Sequence, residues 1–128
     1  MKRILIAVVA VSAGLVAFAA YRGLAVDEAV ICKAVVDRMP QDQGETFPAD
    51  VGQVYCFCRI SGAAEATTIT HVWKKGETEM AAVELNVSAS PWRTWSSKTI
   101  DPGWTGAWTV EIKDAQGNVL QTLSFTIE

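Results

Sequence analysis

Four of the five tryptophans fall between Trp92 and Trp108, in "WRTWSSKTIDPGWTGAW", with Arg93 and Lys98 among them. Rings beside basic side chains suit a contact surface. The ring supplies apolar area, and the cation supplies directed hydrogen bonds. Trp92, Arg93, Trp95, Lys98 and Trp104 are therefore the candidate binding residues. The competing reading is structural, because large aromatic side chains are mostly buried. Iodide quenching separates the two, since a platform needs at least one accessible ring.

A second group is Cys56 and Cys58, in "VYCFCRI", with the lone His71, in "THVW". If the strands carrying them pair, two thiols and an imidazole meet. That set is soft enough for Cu(I) or Zn(II), and it could also do redox chemistry. It is one ligand short of the usual four, and disulfide formation would compete for the thiols. A lone His in a strand is more often a hydrogen-bonded structural residue, so no metal and no cofactor is expected. Ser96 and Ser97 lie beside Lys98, but a Ser–Lys pair needs a fixed, desolvated amine. On a solvated strand edge nothing supplies one. Glu77 and Glu79 fall in a turn and read as ordinary solvation, and "NVS" at Asn86 is a glycosylation sequon only in a host that reads it. No catalytic residue is assigned, and no enzymatic activity is expected.

The elements that must position these residues are strands. "VYCFCRI", "TTITHVW", "MAAVELNVS", "WRTWSSKTI", "AWTVEIKD" and "VLQTLSFTIE" are rich in β-branched and aromatic residues, and most of them alternate. Turn signals separate them: "KKGETE", the Pro-Gly turn in "DPGWTG", and "AQGN". Alternation puts Trp108, Val110 and Ile112 on one inward face, and Leu123, Phe125 and Ile127 on another. Trp73 shares a face with Ile69 and His71. Trp92 and Trp95 are three apart, so on a regular strand they face opposite ways. Trp104, in the turn, is expected to be exposed. "VDEAVICKAVVDR" reads as one further strand, and "MPQDQGETFPADVGQ" as a loop. The expectation is all-β: an antiparallel immunoglobulin-like β-sandwich of about seven strands. Residues 21–53 supply its first strand and a loop, and residues 54–128 its body.

The N-terminus sets the compartment. "MKR" precedes the uncharged run from Ile4 to Ala20, which is at the short limit for a membrane span, about 17 residues. Ala17 and Ala19 suit signal cleavage. Residues 1–20 are therefore read as a signal peptide or as a hydrophobic anchor helix, and either one exports the domain. Loss of Lys2 and Arg3 would take the formal charge from −3 to −5. No basic run is present, so nucleic acid is excluded as a partner. Contact with membrane is expected only through an uncleaved N-terminal segment. Cys32, Cys56 and Cys58 make an odd count, so one thiol is left over if a bridge forms. Cys56 and Cys58 on one strand have Cα atoms about 6.6 Å apart, at the long edge of bridging geometry. A bridge from Cys32 to Cys56 or to Cys58 is expected instead, contributing on the order of 3 kcal/mol.

The segments "FPADVGQVYCF", "HVW", "WRTWSSKTIDPGWTGAWTVEIKD" and "GNVLQTLSFTI" resemble the bacterial domain of unknown function 2914 family, from about Val35 to the end. The resemblance implies an exported or membrane-attached bacterial domain of β-sandwich form and implies no known activity. The family pattern commonly has Thr where this chain has Cys58. The resemblance therefore implies that Cys58 is the spare thiol and that Cys32 and Cys56 form the bridge.

The functional expectation is a non-enzymatic module for binding or assembly at the cell envelope, with a glycan or protein partner or its own copies. Assembly predicts oligomers by light scattering. A glycan role predicts retention on cell-wall polysaccharide that Trp104→Ala abolishes. The alternative is a redox or metal-handling periplasmic protein that uses Cys56, Cys58 and His71.

Overall fold

A computed structural model describes residues 23–128. The signal or anchor reading of residues 1–20 lies outside the described residues. Among the described residues no helix is long and apolar enough to cross a membrane. The described chain is all-β, with ten strands: β1 (Ala25–Cys32), β2 (Ala34–Val36), β3 (Met39–Gln41), β4 (Thr46–Phe47), β5 (Gln53–Ser61), β6 (Thr67–Lys75), β7 (Thr78–Val87), β8 (Trp92–Thr99), β9 (Gly106–Asp114) and β10 (Val119–Ile127). They form a three-stranded sheet, β1-β5-β8, a five-stranded sheet, β4-β10-β9-β6-β7, and a small β2-β3 hairpin.

One core is filled from both larger sheets. Val54, Cys56, Cys58 and Ile60 come from β5; Ile69 and Trp73 from β6; Trp108, Val110 and Ile112 from β9; and Phe125 and Ile127 from β10. In each strand these are alternate residues, as a pleat with one wet face requires. On β9 the other face carries Glu111, which meets Lys74 at 3.2 Å and Lys113 at 3.8 Å. Aromatic stacking ties the centre together. Phe125 stacks on Trp108 with ring centroids 5.8 Å apart and meets Trp73 and Phe47 edge-on.

The strand count exceeds the expected seven, because the presumed loop after Val36 contains β3 and β4. Both are two or three residues long, too short to show a period. β3 carries Pro40 and β4 borders Pro48, and proline argues against a strand. The expected N-terminal strand breaks at Lys33 into β1 and β2. Nor is every pair antiparallel, since β4 runs parallel to β10, pairing Thr46 with Thr126 and Phe47 with Ile127.

The β2-β3 hairpin turns through Asp37 and Arg38, at φ of 52° and 62°. Two consecutive residues at positive φ make the tight two-residue hairpin that favours Asn-Gly. The hairpin lies against β5. Cys32 and Phe57 are fully buried yet belong to the opposite face of β1-β5 from the main core.

Candidate functional site

The tryptophan-rich strand β8 is an edge of the three-stranded sheet, paired only to β5. Trp92 is opposite Ile60, Thr94 opposite Cys58 and Ser96 opposite Cys56, so these face the core. Arg93, opposite Arg59, and Trp95, opposite Phe57, face outward. Trp95 stacks on Phe57 with centroids 6.3 Å apart. Trp92 and Trp95 thus take opposite faces. Trp104 is half-buried rather than exposed, because it packs against the core and leans on Trp108 at 6.2 Å. Its carbonyl accepts a hydrogen bond from Trp108 Nε1, and Lys98 lies over its ring at 5.3 Å.

The five candidate binding residues therefore divide into two places. Lys98 and Trp104 belong to one end of β8, and Trp92 and Arg93 to the other, roughly 20 Å away by strand rise. A single platform joining Trp92 to Trp104 does not form. Trp95 lies between the two ends, on the outer face.

At the Trp92 end, Arg38, Arg59, Pro91 and Arg93 line a cleft of about 310 Å³. Arg38 comes from the hairpin tip, with its guanidinium over the Trp92 ring at 6.0 Å. Arg59 Nε faces Asp27 Oδ2 at 3.6 Å, a charge contact longer than a hydrogen bond, and is a buried donor without a partner. Asp27 is the extra residue of a bulge in β1, between Val26 and Glu28. No carboxylate lines the cleft. Arg38 and Arg59 escaped the sequence reading because they lie far from the tryptophans along the chain. Only the hairpin and the β5–β8 register bring them together.

A larger groove, about 430 Å³, separates β1 from β10 and includes Ala29, Ile31, Gly44 and Leu123. Its only ionisable lining residue is Glu45, so it is poor in chemistry.

Cys58 and His71 do meet, at 3.5 Å between Sγ and Nε2. Their strands do not pair. They belong to different sheets and touch across the core. Trp73 Nε1 donates to Ser96 Oγ at 3.1 Å, and Ser96 Oγ lies 2.7 Å from His71 Nδ1. One tautomer of His71 pairs every strong donor. Ser96 has one proton, and the neighbour able to accept it is His71 Nδ1, so the other ring nitrogen carries hydrogen and points at sulfur. The chain then runs from Trp73 to Ser96 to His71 to Cys58, leaving over only the weak S–H donor. Burial lowers His71 to about 4 and raises Cys58 to about 12. The imidazole is neutral and the thiol protonated at pH 7, the opposite of a thiolate–imidazolium pair. Among the described residues no group of three or more His, Cys, Asp or Glu is placed to hold a metal.

The expected Cys32–Cys56 bridge is not formed: Cys32, Cys56 and Cys58 are all free and buried. Cys32 pairs in register with Tyr55, and Cys56 with Ile31. Neighbouring register positions point to opposite faces, and the Cys32 thiol turns instead to the Ala34 carbonyl, at 3.3 Å.

Residues 66–127, which run from before β6 to the end of β10, match the family model "Protein of unknown function (DUF2914)". This segment belongs to DUF2914. It includes β6 to β10 whole, and so His71, Arg93 and all five tryptophans. Cys56, Cys58, Arg38 and Arg59 precede the DUF2914 match, which is shorter than the resemblance from Val35 onward. No curated protein matches the chain. Among solved structures, similarity extends to the Bifidobacterium adolescentis GH3 beta-glucosidase, at 11% identity and a TM-score of 0.48, covering 84% of this chain and 17% of that one. The Beta-D-glucoside glucohydrolase from Trichoderma reesei follows at 9% identity and a TM-score of 0.41, covering 84% and 19%. An endonuclease/exonuclease/phosphatase from Beutenbergia cavernae has 13% identity and a TM-score of 0.35, covering 82% and 35%. The chain thus spans a minor part of each of these proteins, and with TM-scores below 0.5 the likenesses say nothing of its activity.

Proposed function

We propose that this chain is an exported, non-enzymatic β-sandwich of immunoglobulin-like form that binds a component of the cell envelope, or assembles there, through the Trp92 end of β8. The observation that supports this reading is the cleft of Arg38, Arg59 and Arg93 beside Trp92, lined by no acid. An aromatic edge with several guanidinium groups is an interface of the kind that carries most of a binding energy. The contacting set of Cys58, His71 and Ser96 is buried between the sheets. That counts against an enzyme.

Retention of the full chain on envelope material tests the reading. Trp92→Ala and Arg93→Gln are each expected to reduce retention at least tenfold. Trp104→Ala, at the far end of β8, is expected to leave it unchanged. Retention indifferent to both Trp92 and Arg93 overturns the assignment.

One contact, Cys58 with His71, favours the redox or metal-handling alternative. It predicts two reactive thiols. The burial of all three cysteines predicts none: a water-soluble thiol reagent is expected to titrate no thiol in native protein and three after denaturation. Rapid native labelling of Cys56 and Cys58 would restore the alternative.

A further inference from the structure

We propose that the cleft between Arg38, Arg59 and Arg93 is a phosphate-ester site. The inference rests on the binding-module reading and names the chemistry of its ligand. Four observations carry it. First, Arg59 and Arg93 are register partners on adjacent strands. Like charges directly opposite each other are unfavourable in a sheet, and an intervening anion removes the repulsion. Second, Arg59 Nε is a buried donor without an acceptor. Buried polar groups are nearly always paired, and Asp27 Oδ2, at 3.6 Å, is too far to complete the bond, so the protein leaves this guanidinium incompletely satisfied. Third, Arg38 occupies a positive-φ position at the hairpin tip, φ 62°, where glycine is usual. A long, charged side chain there costs backbone strain, and it delivers the third guanidinium to the cleft. Fourth, two of the three groups are already held in place, Arg38 by the Trp92 ring and Arg59 by Asp27.

The geometry selects among anions. A planar carboxylate is satisfied by one guanidinium fork. Three forks arriving from three elements suit a tetrahedral group with oxygens in several directions, and phosphate fits that description. The charge agrees, since the lining carries three positive groups and no negative one. The nearby acids lie outside the lining: Asp27 behind Arg59, Glu28 exposed on β1 as the register partner of Arg59, and Asp37 beside Arg38 at the hairpin tip. The phosphate could belong to a soluble polymer or to a lipid headgroup, and the chemistry of recognition is the same.

The test is titration of the full chain at fixed ionic strength with inorganic phosphate, glycerol phosphate and acetate, followed by NMR shifts or calorimetry. Saturable binding of both phosphates is expected, with acetate at least tenfold weaker. Arg38→Gln and Arg93→Gln should each weaken phosphate at least tenfold. Both variants should fold, since Arg38 is exposed and Arg93→Gln removes a like-charge pair. An unchanged or higher melting midpoint checks this, and Arg93→Lys, which keeps the charge and loses the fork, should fall between. Vesicles of phosphatidylglycerol, compared with a soluble glycerol-phosphate polymer, then locate the source. Arginine-dependent binding to either one supports the site. Vesicle binding without any affinity for soluble phosphate would mean bulk surface charge and overturns it. Equal affinity for acetate overturns the choice of phosphate. Envelope retention that depends on Arg93 without phosphate binding overturns this inference and leaves the module reading standing. Retention independent of both Trp92 and Arg93 overturns the module reading itself.

Discussion

Replacing Trp108 by alanine is expected to lower the free energy of unfolding by about 3–5 kcal/mol, the usual range for a fully buried Trp. Trp108 is 1% exposed. Its ring stacks on Phe125 and touches Trp104, and its Nε1 donates to the Trp104 carbonyl. Truncation removes apolar area, leaves a cavity between two sheets that cannot fully collapse, and strands that carbonyl near the surface. A domain of this size has about 5–15 kcal/mol in all, so the variant would lose a large fraction of its stability. The measurement is a denaturant titration, read as a lower midpoint at unchanged slope. Trp104→Ala serves as the comparison. That ring is half-buried, so its loss should cost clearly less. Equal losses at the two positions would contradict the core assignment of β9.

Much of this was readable from alternation. The inward faces of β9 and β10 follow from Trp108-Val110-Ile112 and Leu123-Phe125-Ile127, and the opposed faces of Trp92 and Trp95 follow from a spacing of three. Strand parity is a local property, and local sequence carries it. Sheet membership is not local. Nothing in "VYCFCRI" and "TTITHVW" says that β5 and β6 belong to different sheets, and so that Cys58 and His71 meet across a core instead of along a ladder. The arginine cleft was hidden for the same reason. Arg38, Arg59 and Arg93 are widely separated along the chain, and their convergence depends on a two-residue turn inside a segment that reads as loop. The exposure expected for Trp104 failed differently. A Pro-Gly turn sets where the backbone goes, whereas the ring follows the nearest apolar surface, here Trp108.

Acidification from pH 7 to pH 4 is expected to cost about 3 kcal/mol through His71 alone. The unfolded side chain takes up a proton near its ordinary value of 6.5, whereas in the native protein burial holds it down to about 4. Between those values the unfolded state binds more protons, so stability falls as pH falls, and the loss is complete below the native value. The surroundings sharpen the effect. His71 has Val83 and Ile112 as register partners, with the neutral Ser96 and Cys58 at its two nitrogens. None of these groups rewards an imidazolium, and Ser96 would have to give up its donated bond. Asp114, whose hydrogen bonds with Asn118, Gln116 and Gly117 hold it below 3.8, acts in a lower window. Its contribution is present above 3.8 and disappears only as pH falls through its depressed native value. The two are therefore separable. In His71→Gln, stability should be lower at pH 7, and its fall between pH 6.5 and 4 should be largely abolished. Denaturant midpoints at half-unit pH steps measure both curves. Parallel curves for the two proteins would mean that His71 titrates in the native state near its ordinary value, and that the buried chain from Trp73 to Cys58 is open to water.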